Sequence, residues 1–108
     1  MCLVYPSQDF SITPKVATEF LSARAAMKEA GVFLGSGVLQ PVGSATTVRV
    51  RESETVLTDG PFAEIKEQLG GFVLLECADL DDAVRWVATL PGVRGGAVEI
   101  RPLMDYVI

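Results

Sequence analysis

The chain contains no histidine. That absence excludes a Ser-His-Asp or Cys-His catalytic device, an H-E-x-x-H zinc site and any imidazole base near neutral pH. Cysteine is almost as scarce: Cys2 and Cys77 stand 75 positions apart, and neither has a C-x-x-C companion. Two cysteines cannot frame a disulfide scaffold, and they read as small buried apolar residues. No apolar run approaches ~18 residues, and no charged segment followed by an apolar stretch opens the chain. Neither a membrane span nor a secretory leader is therefore expected, and the anticipated setting is the reducing cytoplasm. Basic residues are few and scattered, nine Lys and Arg against fourteen Asp and Glu, for a formal charge of −5. Phosphate neutralisation needs clustered cations, so charge disfavours nucleic acid and anionic membrane surfaces as partners.

What is present is apolar area. The 108 residues are 49% hydrophobic, enough for a single domain that needs no metal or disulfide staple. Cys2 to Tyr5 reads as a short strand. Thr13-Pro14 is an N-cap and first-turn signal, and Val16, Phe20, Ala23, Met27 and Ala30 then recur on one helical face until Gly31. Val32 to Leu39 is apolar but carries Gly35 and Gly37, which predicts a strand with a bulge or a close approach. Thr47 to Arg51 alternates with period two, and Thr55 to Thr58 follows a short polar turn, which predicts a hairpin. Gly71 to Cys77 is a strand whose run from Phe72 to Leu75 suits burial on both faces. Asp79 caps a second helix, with Asp82 in the reciprocal position and Leu80, Ala83, Val84 and Val87 on its apolar face. Ala97 to Arg101 alternates again.

This order predicts a ferredoxin-like α+β fold: an antiparallel sheet with two helices on one face and a hairpin inserted after the second strand. The other face then has no cover within the chain. Soluble monomers rarely expose so large an apolar patch, so a homodimer packed sheet to sheet is expected.

The most informative stretch runs from Thr58 to Glu76. It holds the turn Asp59-Gly60-Pro61-Phe62, a short charged helical turn from Glu64 to Glu67, and a Gly70-Gly71 pair that launches the apolar strand. Gly60 can adopt positive φ and Pro61 fixes φ, so a rigid loop is expected from Asp59 to Phe62. Asp59 is the candidate catalytic group: it can move a proton, or it can simply bond to the backbone of its own turn. Phe62 would wall the pocket, and Glu64 would add a carboxylate at its mouth. Thr47, Arg49 and Arg51 share one face of the hairpin, where the two guanidiniums can clamp an anion or pair across the strand with Glu52 or Glu54. Asp79, Asp81 and Asp82 read as helix capping, since they lack the Gly and later Glu of a calcium loop. Gly35-Ser36-Gly37 is neither a P-loop nor a dinucleotide fingerprint. No metal and no cofactor are expected.

Several runs, in order along nearly the whole chain, resemble the DGPF branch of YCII-related proteins. They are Gly31-Val32-Phe33-Leu34, Ala45-Thr46-Thr47-Val48-Arg49, the D-G-P-F run through Gly71-Phe72, Leu80-Asp81-Asp82-Ala83, and Val98-Glu99-Ile100-Arg101-Pro102. The resemblance implies a dimeric α+β barrel. It also implies a small-molecule pocket at the D-G-P-F loop, with acid–base chemistry of an isomerase or lyase kind on a small polar or aromatic substrate. Asp59 matches the motif aspartate, but the His partner used by some YCII-like proteins has no counterpart here. Genes of this branch often neighbour those of extracytoplasmic-function sigma factors, so the resemblance equally implies a non-catalytic ligand-binding or regulatory protein.

Overall fold

The computed structural model describes residues 1–105. Strand β1 (Cys2–Tyr5) leads to helix α1 (Pro14–Glu29) and strand β2 (Phe33–Val38). The hairpin strands β3 (Thr46–Arg51) and β4 (Glu54–Asp59) follow, then β5 (Gly71–Leu75), helix α2 (Leu80–Val87) and β6 (Ala97–Ile100). The sheet order is β2-β5-β1-β6, with β3 and β4 forming a separate two-stranded sheet. Every neighbouring pair is antiparallel. This is the ferredoxin-like α+β arrangement expected from the alternation of apolar periods.

The first helix begins and ends where its sequence dictates. The Thr13 hydroxyl accepts the Val16 N–H at 3.2 Å, and Pro14 occupies the first turn, where a missing N–H costs nothing. At the other end Gly31 turns to φ +75°. Its N–H donates to the Lys28 carbonyl, and the Val32 N–H donates to that of Met27, both at 3.0 Å. These paired bonds close the carbonyl end as a Schellman motif and aim the chain into β2. Strand β2 then carries a register shift between Phe33 and Gly35, the irregularity its glycines predict.

Ala23 and Met27 of α1, Val87 of α2, and Leu90 pack on Cys2 and Val73, and these six form the buried core. Cys2 lies opposite Val73 and Ile100 in the ladder, so these residues define the helix-covered face. By alternation Leu3, Tyr5, Phe72 and Leu74 point to the other face, over which no helix lies. They are half-buried rather than exposed, because Leu3 stands directly opposite Phe72 and large neighbours on one face cover each other.

Three local expectations need correction. Leu80 and Val84 are 63% and 49% exposed: a helix of eight residues buries Ala83 and Val87, one i, i+4 pair, with Trp86 packed half-buried against the core. Asp79 accepts the Asp82 N–H at 2.8 Å as expected, but Asp82 reaches back to the Ala78 N–H instead of to the cap itself. The charged stretch from Glu64 to Glu67 forms bends and no helical turn. Four residues cannot meet the cost of helix nucleation without a packed face, and none of the four is buried.

The hairpin is the unusual part. Every residue of β4 is exposed, and Val48, Val50 and Leu57 on one face are 59%, 61% and 65% exposed. Its turn residues Glu52 and Ser53 both adopt positive φ, 50° and 68°, which matches a two-residue hairpin loop built without glycine or asparagine. The arm widens the molecule to a radius of gyration of 15.9 Å, against about 13 Å for a compact chain of this length.

Candidate functional site

The root of the hairpin fixes Gly60 from both sides. Its N–H donates to the Ala45 carbonyl at 2.7 Å, and its carbonyl accepts the Thr47 hydroxyl at 2.8 Å. Gly60 has φ +98°, and a β-carbon there would meet nothing within 4 Å. Glycine is thus required for backbone conformation and not for space. Past this point, among the described residues, 61 to 69 make no backbone–backbone hydrogen bond, so the loop lacks the pinning that holds Gly60.

Phe62 is 74% exposed, and the Arg49 guanidinium stands 5.3 Å from its ring centroid. Arg49 also donates a long hydrogen bond, 3.4 Å, to the Thr58 hydroxyl. Thr47 opposes Thr58, and Arg49 opposes Val56, so all four side chains share one face of the hairpin. A cation stacked on an aromatic ring and tethered by a hydroxyl is an oriented anion contact. Among the described residues neither Arg49 nor Arg51 forms an ion pair.

Asp59 lies elsewhere. It opposes Thr46, on the face of Val48 and Leu57, so the ladder sets it on the side away from Arg49. The carboxylate is exposed and accepts no hydrogen bond from its own turn or from any other described group. The turn-forming explanation for this aspartate therefore has no geometry behind it. Arg51, at the tip, donates to the Val50 carbonyl at 3.0 Å and stands far along the arm from the loop.

Two hollows adjoin the loop. One, of about 360 Å³, lies between the turn at Val42–Ser44 and the loop; Pro41, Ala45, Pro61, Ile65 and Leu69 line it with Gln40 and Gln68. The other, of about 500 Å³, is bordered by Gly60, Glu64, Lys66 and Gln68. Glu64 thus reaches a hollow, whereas Asp59, Arg49, Arg51 and Phe62 line neither. A third cavity, of about 310 Å³, lies between α1 and the helix-covered face of the sheet, with Phe10, Phe20, Leu21, Val73 and Leu90 in its walls. No local pattern announces it, because its lining comes from segments as far apart in the chain as Val4 and Gly92. Thr58 was equally invisible as a tether, since only the strand register brings it to Arg49.

Both thiols are free, Cys2 buried and Cys77 half-buried. Burial pushes each above the ordinary thiol value, and at Cys77 the Asp82 carboxylate adds to the rise. Neither is poised as a thiolate nucleophile. Among the described residues no three His, Cys, Asp or Glu side chains converge to hold a metal ion. No helix among them is long and apolar enough to cross a membrane.

An uncharacterized protein of Rhizobium meliloti (strain 1021) is 44% identical over 80 residues, covering 72% of this chain. The match spans 64% of that relative's own length. The family model of the YCII-related domain matches residues 1–107, from β1 through the hairpin, the D-G-P-F loop and β6. With the split βαβ sheet and inserted hairpin already described, that near-complete match means that the chain belongs to the YCII-related family.

Proposed function

We propose that the chain is a small-molecule-binding protein whose ligand docks at the hairpin root and D-G-P-F loop. Arg49 makes the anion contact and Phe62 offers a face for a planar group. The observation that carries this reading is the Arg49–Phe62–Thr58 cluster, a cation oriented by two partners yet left without a counter-ion. The register supports binding over single-chain acid–base catalysis, because Asp59 and Arg49 occupy opposite faces of the arm. Within one chain a group held by Arg49 therefore lies across the strand from the Asp59 carboxylate.

The partner we propose for the arm is a second copy of the chain. An isolated two-stranded hairpin is marginal in water, and the exposed Val48, Val50 and Leu57 need an apolar surface that the chain's other elements do not provide. The helix-free sheet face with Leu3, Tyr5, Phe72 and Leu74 offers one.

A thermal-shift screen of small planar carboxylates and phosphates tests the function. A specific ligand at about 100 times its Kd stabilises by roughly 2.7 kcal/mol. The expected result is a hit lost in Arg49→Ala and kept in Asp59→Asn. A hit indifferent to Arg49→Ala would remove the reading. Turnover of a bound compound that disappears in Asp59→Asn would reinstate the carboxylate as a proton-transfer group.

A further inference from the structure

We propose that the cleft beneath α1 is a second binding site, for an uncharged, hydrocarbon-rich small molecule of about two rings. It is independent of the hairpin-root site. Its floor is Val4 and Val73 of the sheet, its roof Phe20 and Leu21 of α1, and Leu90 closes one end. The volume, about 310 Å³, falls at the small end of ligand sites, roughly 300–1,000 Å³. An apolar cavity of about 150 Å³ takes up benzene, so twice that volume suits two fused or linked rings.

The chemistry of the walls sets the ligand class. No side chain with a nitrogen or oxygen lines the cleft. The backbone at its mouth is already satisfied: the Gly70 N–H donates to the Val4 carbonyl at 2.8 Å, and its own carbonyl accepts the Leu39 N–H at 2.9 Å. A charged or strongly polar ligand would lose its hydration there and gain no partner. The opening is apolar too, with Ile12, Leu21 and Val38 at 58%, 52% and 61% exposure, so an uncharged ligand meets no polar barrier on entry. The cleft is also reachable in the assembly proposed above. It lies on the helix side of the sheet, whereas Leu3 and Leu74 face the other way, so a second copy packed there leaves it open.

Two neutral probes, naphthalene and N-phenyl-1-naphthylamine, and one charged analogue, 1-naphthoate, test the site in the full chain. Methyl NMR on labelled protein is expected to show shifts confined to Ile12, Leu21, Val38 and Leu90. Naphthoate should bind at least about tenfold more weakly than either neutral probe. Ala17→Phe places a ring in the cleft and should abolish probe binding while leaving the far-UV spectrum intact. Should that variant fail to fold, Leu21→Glu, a change at an exposed position, is expected to weaken neutral probes about tenfold or more by charging the mouth. Asp59→Asn and Arg49→Ala should leave probe binding unchanged, which separates this site from the hairpin-root site. The proposal is overturned if no neutral probe shifts these methyls at its solubility limit, or if naphthoate binds as well as naphthalene. Probe binding that appears only on dilution would also overturn it, by showing that a second copy fills the cleft.

Discussion

Gly71→Ala is expected to be far more damaging than Gly37→Ala, although the two glycines are neighbours across β2 and β5. A β-carbon built on Gly71 would lie 2.6 Å from the Gly37 carbonyl oxygen and 3.5 Å from the Val38 α-carbon. The closest comfortable approach of carbon to carbonyl oxygen is about 3.3 Å, so the strands must part by roughly 0.7 Å. Gly71 pairs with Val4 on one side and Val38 on the other, so relief on one ladder strains the second. The obstacle is backbone, which cannot rotate away. The cost is therefore set at the upper end of overpacking, about 3 kcal/mol, or a Tm lowered by about 13 °C for a domain of this size. At Gly37 the added carbon would meet the Phe72 ring at 2.8 and 3.1 Å, and that half-buried ring can swing outward. Gly37→Ala should cost about 1 kcal/mol or less. Urea midpoints and calorimetric melts at one fixed protein concentration decide the matter. A Gly71→Ala protein as stable as wild type, or the reverse ordering of the two variants, would refute the reasoning.

Replacing Glu52 and Ser53 by Asn and Gly relieves two left-handed residues. It should raise the opening free energy of the hairpin by about 1 kcal/mol or more, read as slower amide exchange in β3 and β4; unchanged exchange would contradict it. Alkylation of Cys77 should have its pH midpoint above the ordinary thiol value of 9.0 and quicken in Asp82→Asn, while Cys2 reacts only on unfolding. Because both thiols are raised in the folded state, their share of stability is complete below the unfolded value near 9.0 and is lost as the pH climbs through the folded ones. A urea midpoint that rises from pH 8 to pH 10 would count against that. Sedimentation at micromolar concentration should show a dimer, and Leu57→Asp should shift it toward monomer; a stable wild-type monomer would refute the role given to the hairpin.

Much of the fold was legible because its signals are local. Thr13, Pro14 and Gly31 mark the ends of α1 through bonds made within a few residues, and the period-two run from Thr47 to Arg51 needs only its own alternation to declare a strand. The helical turn expected from Glu64 to Glu67 failed for the complementary reason. Charged residues there look helical in isolation, but no packed face fixes them. The candidate site was half legible. Arg49, Phe62 and the glycine turn stand out by residue type, and the structure brings Arg49 and Phe62 together. Asp59 was placed beside them by sequence proximity alone.

The sequence by itself determined the main strands and helices, their order, the glycine stop at Gly31, the positive φ of Gly60 and the exclusion of histidine chemistry, since each depends on residue type or on spacing within one turn or strand. Tertiary structure decided which face each side chain took. The strand register put Asp59 opposite Thr46 and away from Arg49, because neighbours in a strand point to opposite sides. It also made the cleft beneath α1, whose walls meet only when helix, sheet and the Leu90-Pro91 turn pack together. Register and packing are properties of segments far apart in the chain, and no local pattern encodes them.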